Sequence, residues 1–176
     1  RRIKVIDVHA HLEIPEVVNV VKGTPLEGEA DDDSGMDGRL QDLDRQGVDV
    51  QALSINGYWW YAAERPLAQE IVQAQNEGLA KLVAANPDRF VALASVALQF
   101  PDMAAQQLED GIKRLGLRGA SIGGHMRGED LSLPKYDPFW AKAEELGVPV
   151  FMHPNNAANI AREGALDGRG GLGNIV

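Results

Sequence analysis

Two histidines lie two residues apart at the end of the first apolar run, in the segment Asp7-Val8-His9-Ala10-His11. Because side chains on a strand alternate between its two faces, Asp7, His9 and His11 are expected to share one face. Two imidazoles placed in this way can bind one divalent cation, and a hydrogen-bonded pair of surface histidines has the same spacing. The pair follows its predicted strand at the carboxyl end, where parallel α/β proteins place their sites.

A third histidine, His153, follows another apolar run, residues 148–152, and precedes Pro154. Alone it could be an ordinary strand-end histidine before a turn. Its position relative to its strand is nevertheless that of the first pair, so we predict a metal site formed by His9, His11 and His153. Three neutral imidazoles with an open coordination position are typical of catalytic zinc.

A fourth histidine, His125, follows the fourth predicted strand in the segment Gly123-Gly124-His125. Two interpretations remain open for it. It contacts the substrate or transfers a proton during catalysis, or it is an ordinary loop histidine.

The composition narrows the chemistry. The chain has 176 residues, no cysteine and a formal net charge of −9. The absence of cysteine excludes disulfides, Cys-ligated zinc, iron–sulfur clusters and a cysteine nucleophile, so a metal must be held by His, Asp or Glu. The acidic balance disfavours nucleic acid and anionic membranes as partners. No apolar run approaches the roughly 18–20 residues of a membrane helix, and we expect a cytoplasmic protein.

Apolar runs and helical patterns alternate along the chain, as is typical of βαβ units with a parallel sheet. Strands are predicted at 3–8, 49–55, 90–96, 118–122 and 148–152. Helices are predicted at 38–46, from Arg65-Pro66 to Asn86-Pro87, from a capping Asp102 to Gly116, and from Asp137-Pro138 to Gly147. Two segments are expected outside the core: an acidic loop, 12–37, and a glycine-rich loop, 164–173.

Five such units fit two α/β folds. One is an open doubly wound sheet, and the other is five of the eight units of a TIM barrel, which typically needs about 250 residues. In a barrel the first and fifth strands face each other across the mouth, so a metal held between His9 and His153 favours the barrel.

Five segments resemble, in order and spacing, those of the amidohydrolase-related (amidohydrolase 2) metal-dependent enzymes, above all the aminocarboxymuconate-semialdehyde decarboxylase branch. The segments are Val5-Ile6-Asp7-Val8-His9-Ala10-His11, Gly47-Val48-Asp49-Val50-Gln51-Ala52-Leu53, Asn86-Pro87-Asp88-Arg89-Phe90, Ile122-Gly123-Gly124-His125 and Pro149-Val150-Phe151-Met152-His153-Pro154. The resemblance implies a distorted (β/α)8 barrel of the metal-dependent hydrolase type. It also implies one divalent metal, usually Zn²⁺ with Mn²⁺ as the alternative, on His9, His11 and His153.

The same resemblance implies a catalytic histidine after the sixth strand and an aspartate ligand after the eighth. Both would follow Val176, so we expect residues 1–176 to be the N-terminal part of a single barrel domain. Asp7 is expected to orient an imidazole or to support the strand below the metal.

The expected function is non-oxidative decarboxylation of an unsaturated or aromatic carboxylic acid with a metal-bound water. A hydrolase or hydratase of a lactone, amide or unsaturated acid is the alternative enzyme, and a non-catalytic metal-binding domain is the alternative outside enzymes. A small-molecule substrate and a second copy of the chain, in a homodimer, are the expected partners.

One departure concerns the substrate, because the decarboxylase branch carries an arginine in its first long loop that holds a carboxylate. Between His11 and Gly38 the only cation is Lys22, among eight acidic residues, so this loop would repel an anion. Three arginines in later loops could replace it or be simply solvated: Arg127, Arg162 and Arg169.

Two other motifs have less specific interpretations. The aromatic segment Tyr58-Trp59-Trp60-Tyr61 forms a wall of the pocket or packs in the core. The pattern G-x-G-x-x-G at 168–173 belongs to no βαβ unit, so no dinucleotide site is expected there.

Overall fold

The computed structural model describes residues 3–154. Its sheet contains five strands: β1 (Ile6–His11), β2 (Val50–Ser54), β3 (Phe90–Ala92), β4 (Ala120–Gly123) and β5 (Val150–His153). Its helices are α1 (Glu16–Val21), α2 (Arg39–Gln46), α3 (Arg65–Ala85), α4 (Pro101–Lys113) and α5 (Asp137–Leu146), with short 3₁₀ turns at Trp59–Ala62 and Pro134–Tyr136. The sequence prediction of alternating strands and helices is confirmed.

The strands are parallel and follow one another in chain order. β1, β2 and β3 form one ladder, β4 and β5 form a second, and a parallel bridge between Ala94 and Ala120 connects the two. A doubly wound sheet reverses its strand order at a switch point. The order from β1 to β5 contains no such reversal, which favours the barrel over the open sheet.

Local signals set most helix boundaries. Helix α3 carries Pro66 in its first turn and ends at Ala85, before Asn86. Gly147 ends α5 in the left-handed conformation, with φ of 62°, as predicted for a glycine at that position. The predicted cap of α4 was wrong. The helix begins at Pro101, and Asp102 lies inside the first turn.

The segment 12–37 differs from the acidic loop that we predicted outside the core. It contains α1, and four of its apolar side chains are buried: Leu12, Ile14, Val17 and Val21. Ile14 packs directly against helix α3 at Gly78. A Cβ at this position would lie 2.5 Å from Cγ2 of Ile14, so the glycine's lack of a side chain allows the contact. The prediction followed the charge of the whole segment, although only two of its eight acidic residues, Glu13 and Glu16, lie within residues 12–21.

The core fills the space between the sheet and its helices. Its fully buried side chains include Leu53, Ile71, Leu108, Ile122 and Phe139. Within residues 3–154, no helix is both long and apolar enough to cross a membrane. Arg162, Arg169 and the glycine-rich segment 164–173 lie outside the described residues.

Candidate metal centre

Three histidine side chains meet at the carboxyl end of the sheet. Nε2 of His9 lies 2.9 Å from Nε2 of His11 and 3.0 Å from Nε2 of His153. In the part of the chain that the structure describes, they are the one group of His, Asp and Glu side chains placed closely enough to share an ion. The structure therefore brings together the three histidines that the sequence analysis selected.

The second ring nitrogens of two of these histidines have oxygen partners. Nδ1 of His153 lies 2.8 Å from the carbonyl oxygen of Pro154, to which it donates. Nδ1 of His11 lies 3.1 Å from Oγ of Ser54, whose hydroxyl donates to the carbonyl of Ala10 at 3.3 Å. The proton of each neutral ring is thus on Nδ1, and the Nε2 lone pairs point into the cluster.

This donor set fits a divalent cation. Ligand nitrogens about 2.1 Å from a tetrahedral zinc are about 3.4 Å from each other, within about half an ångström of the separations seen here. A proton on Nε2 of His9 could form a hydrogen bond to Nε2 of His11 or to Nε2 of His153, but not to both. A cation at the centre would satisfy all three nitrogens. The metal would be held by the three Nε2 atoms, with the remaining coordination positions open.

The surroundings keep His11 in the form that a metal requires. Burial is the main cause, followed by the neighbouring rings of His153 and His9, and together they lower the pKa of His11 from 6.5 to about 4. The imidazole is therefore neutral at neutral pH, and its Nε2 lone pair is available to a cation.

The contact between His9 and His153 also decides between the two folds. Neighbouring strands are about 4.8 Å apart, so β1 and β5 would be about 19 Å apart in a flat sheet. Two histidine side chains cannot bridge that distance. The sheet must curl until the ends of β1 and β5 face each other, as strands do across the mouth of a barrel.

The histidine strand is not regular. Asp7 pairs with Gln51 and Ala10 pairs with Leu53, so β1 has one more residue than β2 between these pairs, which is a β-bulge. The bulge corrects the expectation that Asp7 shares one face of β1 with His9 and His11. Its Oδ2 accepts from Nε2 of Gln51, whereas His11 contacts Ser54. Gln51 and Ser54 point to opposite faces of β2, because they are three residues apart, so Asp7 lies behind the histidines rather than beside them.

His125 lies in the loop after β4. The register places Gly123, two residues earlier, opposite His153, so this loop begins at the level of the metal centre. Nδ1 of His125 accepts from the backbone N–H of Gly128 at 2.9 Å. Between them lies Arg127, which is exposed and has a positive φ of 51°. A role for His125 or Arg127 in substrate binding stays a prediction.

The aromatic segment contributes both to the core and to the site. Trp60 is fully buried and donates from Nε1 to the carbonyl of Val96. Tyr58 is buried with its hydroxyl 2.8 Å from Oγ of Ser121, and its ring centroid lies 6.4 Å from that of His153. Packing thus accounts for most of the segment, and Tyr58 is the member next to the metal centre.

One carboxyl near the end of β1 is less acidic than the sequence suggests. Burial and, to a lesser extent, Asp31 raise the pKa of Glu13 to about 7. Glu13 is therefore partly protonated near neutral pH. The repulsion of anions expected from the acidic segment is weaker at this position, two residues from His11.

The amidohydrolase family model matches residues 6–167, so the chain belongs to the amidohydrolase family. Over 127 residues it is 39% identical to the gamma-resorcylate decarboxylase of Rhizobium radiobacter, covering 68% of this chain and 39% of that protein. It is 38% identical over 122 residues to the 2-amino-3-carboxymuconate-6-semialdehyde decarboxylase of Dictyostelium discoideum, covering 67% of this chain and 33% of that protein.

The fold matches that of a solved relative. The crystal structure of a dihydroxybenzoic acid decarboxylase from Polaromonas sp. JS666, with bound manganese and the inhibitor 2-nitroresorcinol, superimposes with a TM-score of 0.72 and 26% sequence identity. The match covers 90% of this chain and 52% of that one. The expected family and the partial TIM barrel are confirmed. The chain spans less than half of the curated relatives that it matches, 39% and 33% of their lengths.

Three polar residues around the centre were not predicted from the sequence. Ser54 contacts a histidine ring, and Gln51 and Arg39 contact the strand that carries His9 and His11. Ser54 is aligned with His11 in the β1–β2 register. The pairing of the predicted strands β1 and β2 could have placed Ser54 beside His11 if the position of the bulge had been known.

Proposed function

We propose that the protein carrying this chain is a metal-dependent carboxy-lyase that removes CO₂ from an aromatic or unsaturated carboxylic acid without oxidation. The convergence of the His9, His11 and His153 Nε2 atoms is the observation that carries this proposal. The decarboxylases from Rhizobium radiobacter and Dictyostelium support the reaction type. A small planar acid, such as a dihydroxybenzoate, is the proposed substrate class, and the cytoplasm is the proposed location.

The three histidines are proposed to hold one divalent cation. A bound cation of this kind supplies Lewis-acid chemistry, because it polarises oxygen groups near it and stabilises negative charge that develops on them. Three imidazole nitrogens suit zinc, whereas the related Polaromonas enzyme was crystallised with manganese. We propose Zn²⁺ or Mn²⁺, and reconstitution with each metal decides between them.

The remaining residues of the mouth are proposed to orient the substrate and move a proton. When CO₂ leaves, the electron pair of the broken carbon–carbon bond stays on the substrate carbon, which must then take a proton. Because Nδ1 of His125 accepts a hydrogen bond, its neutral ring carries the proton on Nε2. We place His125 as a group that contacts the substrate or transfers this proton, with Tyr58 as an apolar wall beside His153.

The test uses the whole protein with 2,6-dihydroxybenzoate and a panel of aromatic acids, unsaturated acids, lactones and amides in deuterated, ¹⁸O-labelled water. We expect CO₂ release and one solvent deuteron on the carbon that lost the carboxyl group. Chelation should abolish turnover, and Zn²⁺ or Mn²⁺ should restore it. His9→Ala and His153→Ala should lose the bound metal and with it the metal-dependent turnover, because each removes one of three metal ligands.

Two outcomes would contradict the proposal in different ways. Incorporation of ¹⁸O into an acid product without CO₂ release would identify a hydrolase at the same centre. Turnover that survives both chelation and His11→Ala would exclude the metal-dependent reaction altogether.

His125→Gln serves as a further variant, since it should lower turnover and leave the metal content unchanged.

A further inference from the structure

Arg39, at the start of α2, reaches the strand that carries two of the histidines. Its Nη2 donates to the backbone carbonyl of His11 at 2.8 Å, and its Nη1 donates to Oε1 of Gln51 at 2.9 Å. Its Nε donates to the carbonyl of Gly35 at 3.0 Å. All three nitrogens of this half-buried guanidinium therefore donate to groups of the protein, and one of those groups is the main chain of a proposed ligand.

Gln51 continues these contacts to the other histidine of the strand. It is 7% exposed, and its Nε2 donates to Oδ2 of Asp7 at 2.8 Å. Oδ1 of Asp7 accepts from the backbone N–H of His9 at 3.1 Å. A continuous hydrogen-bonded network, which we call the Arg39–Gln51–Asp7 network, thus runs from the carbonyl of His11 to the N–H of His9.

The network lies where β1 is irregular. The bulge between Asp7 and Ala10 interrupts the ladder with β2, so the backbone of His9 lacks a regular place in that ladder. A bulge turns the side chains around it, and here it contains His9 and ends at Ala10, just before His11. The network binds the strand on both sides of the bulge, from the face opposite to the imidazoles.

We propose that the Arg39–Gln51–Asp7 network positions His9 and His11 for the metal by fixing the geometry of the β1 bulge. The inference rests on the proposed metal site and adds residues that contact neither the metal nor a substrate. Arg39, Gln51 and Asp7 act through the main chain, which makes them positioning residues. Outer groups that orient metal ligands typically change metal affinity 10–100-fold when they are lost.

The chain contains a matched control for a purely structural role. Arg89 is also half-buried and donates to two backbone carbonyls, those of Asp49 at 3.1 Å and Val48 at 3.2 Å. It forms an ion pair with Asp44 at 2.9 Å. These contacts lie at the amino end of β2, away from the histidines, so Arg89→Ala removes a similar set of hydrogen bonds without touching the metal centre.

The experiment measures Zn²⁺ and Mn²⁺ dissociation constants of the whole protein, by chelator competition and by electron paramagnetic resonance, together with thermal unfolding. Arg39→Ala should weaken binding of both metals about 10–100-fold. Gln51→Glu should do the same, because a carboxylate still accepts from Arg39 but repels Asp7. Arg89→Ala should lower the unfolding temperature and leave both dissociation constants within about twofold of the wild type. Arg39→Lys, which keeps the charge with fewer donors, serves if Arg39→Ala does not fold.

Three results would overturn the inference. Wild-type metal affinity in the folded Arg39 and Gln51 variants would show that the network does not position the ligands. Equal weakening in Arg89→Ala would show that the effect is a general loss of stability. Absence of metal binding by the wild type would instead overturn the proposed metal site itself, and with it the premise of the inference.

Discussion

The two ends of the parallel sheet use polar side chains in different ways. At the amino end, Arg89 donates to the carbonyls of Val48 and Asp49, and the Asp49 carboxylate accepts from the N–H of Val5. At the carboxyl end, the Nε2 atoms of three histidines are directed at one another. At the amino end the polar side chains bond main-chain groups. At the carboxyl end such contacts lie behind the histidines, and the three Nε2 atoms in front of them form a cluster that a cation would satisfy. The chemistry is therefore expected at the carboxyl end, and substitutions at the amino end are expected to affect stability without affecting the metal.

We expect the largest loss of stability from a substitution at the amino end of the sheet. Gly119 immediately precedes β4, and a Cβ there would lie 2.3 Å from the carbonyl oxygen of Pro149, a backbone atom that cannot move aside easily. Gly119→Ala should therefore lower the free energy of unfolding of the whole protein by about 3 kcal/mol. Denaturant titration measures this change.

Gly116→Ala is the matched control for this substitution. Gly116 has a φ of 72° and no atom within 4 Å of its Cβ position, so alanine there brings conformational strain of about 1 kcal/mol without a clash. Equal losses of unfolding free energy in the two variants would contradict the role assigned to the close approach of β4 and β5.

A smaller effect, limited to the carboxyl end, is expected from Ser54→Ala. Ser54 and Ser121 are both 2% exposed, and each hydroxyl has a side-chain partner, the His11 ring and the Tyr58 hydroxyl respectively. Ser54→Ala leaves Nδ1 of His11 without its oxygen partner, and metal affinity should fall about tenfold.

Ser121→Ala should cost similar stability, about 1 kcal/mol for a lost hydrogen bond, with metal affinity unchanged. Zinc competition titrations of both variants test the pair. If Ser121→Ala weakened zinc binding as much as Ser54→Ala, the contact between Ser54 and His11 would not be what orients the ring.

The sequence predicted much of the fold because short-range signals determine it. Pro66 lies in the first turn of α3 and Gly147 adopts the left-handed conformation after α5. Both positions follow from the φ angles that proline and glycine themselves favour, which do not depend on distant contacts. The histidines were identifiable because they follow apolar strands. Segment 12–37 was harder, because burial of Ile14 depends on Gly78, more than sixty positions later in the chain.

The support of the site could not be predicted in the same way. The bulge in β1 depends on its pairing with β2, and it reverses the face that strict alternation gives to Asp7. Arg39 and Gln51 resemble ordinary polar residues until the fold brings them to the main chain behind His9 and His11. Long-range register, which one sequence does not specify, determines both.

The central claim is that His9, His11 and His153 bind one metal ion through their Nε2 atoms. Anomalous diffraction from crystals of the whole protein loaded with Zn²⁺ or Mn²⁺, recorded on both sides of the metal absorption edge, tests it directly. We predict a single anomalous peak within about 2.1 Å of all three nitrogens for zinc. A metal-loaded crystal with no peak between these rings, or with its peak on other residues, would contradict the account.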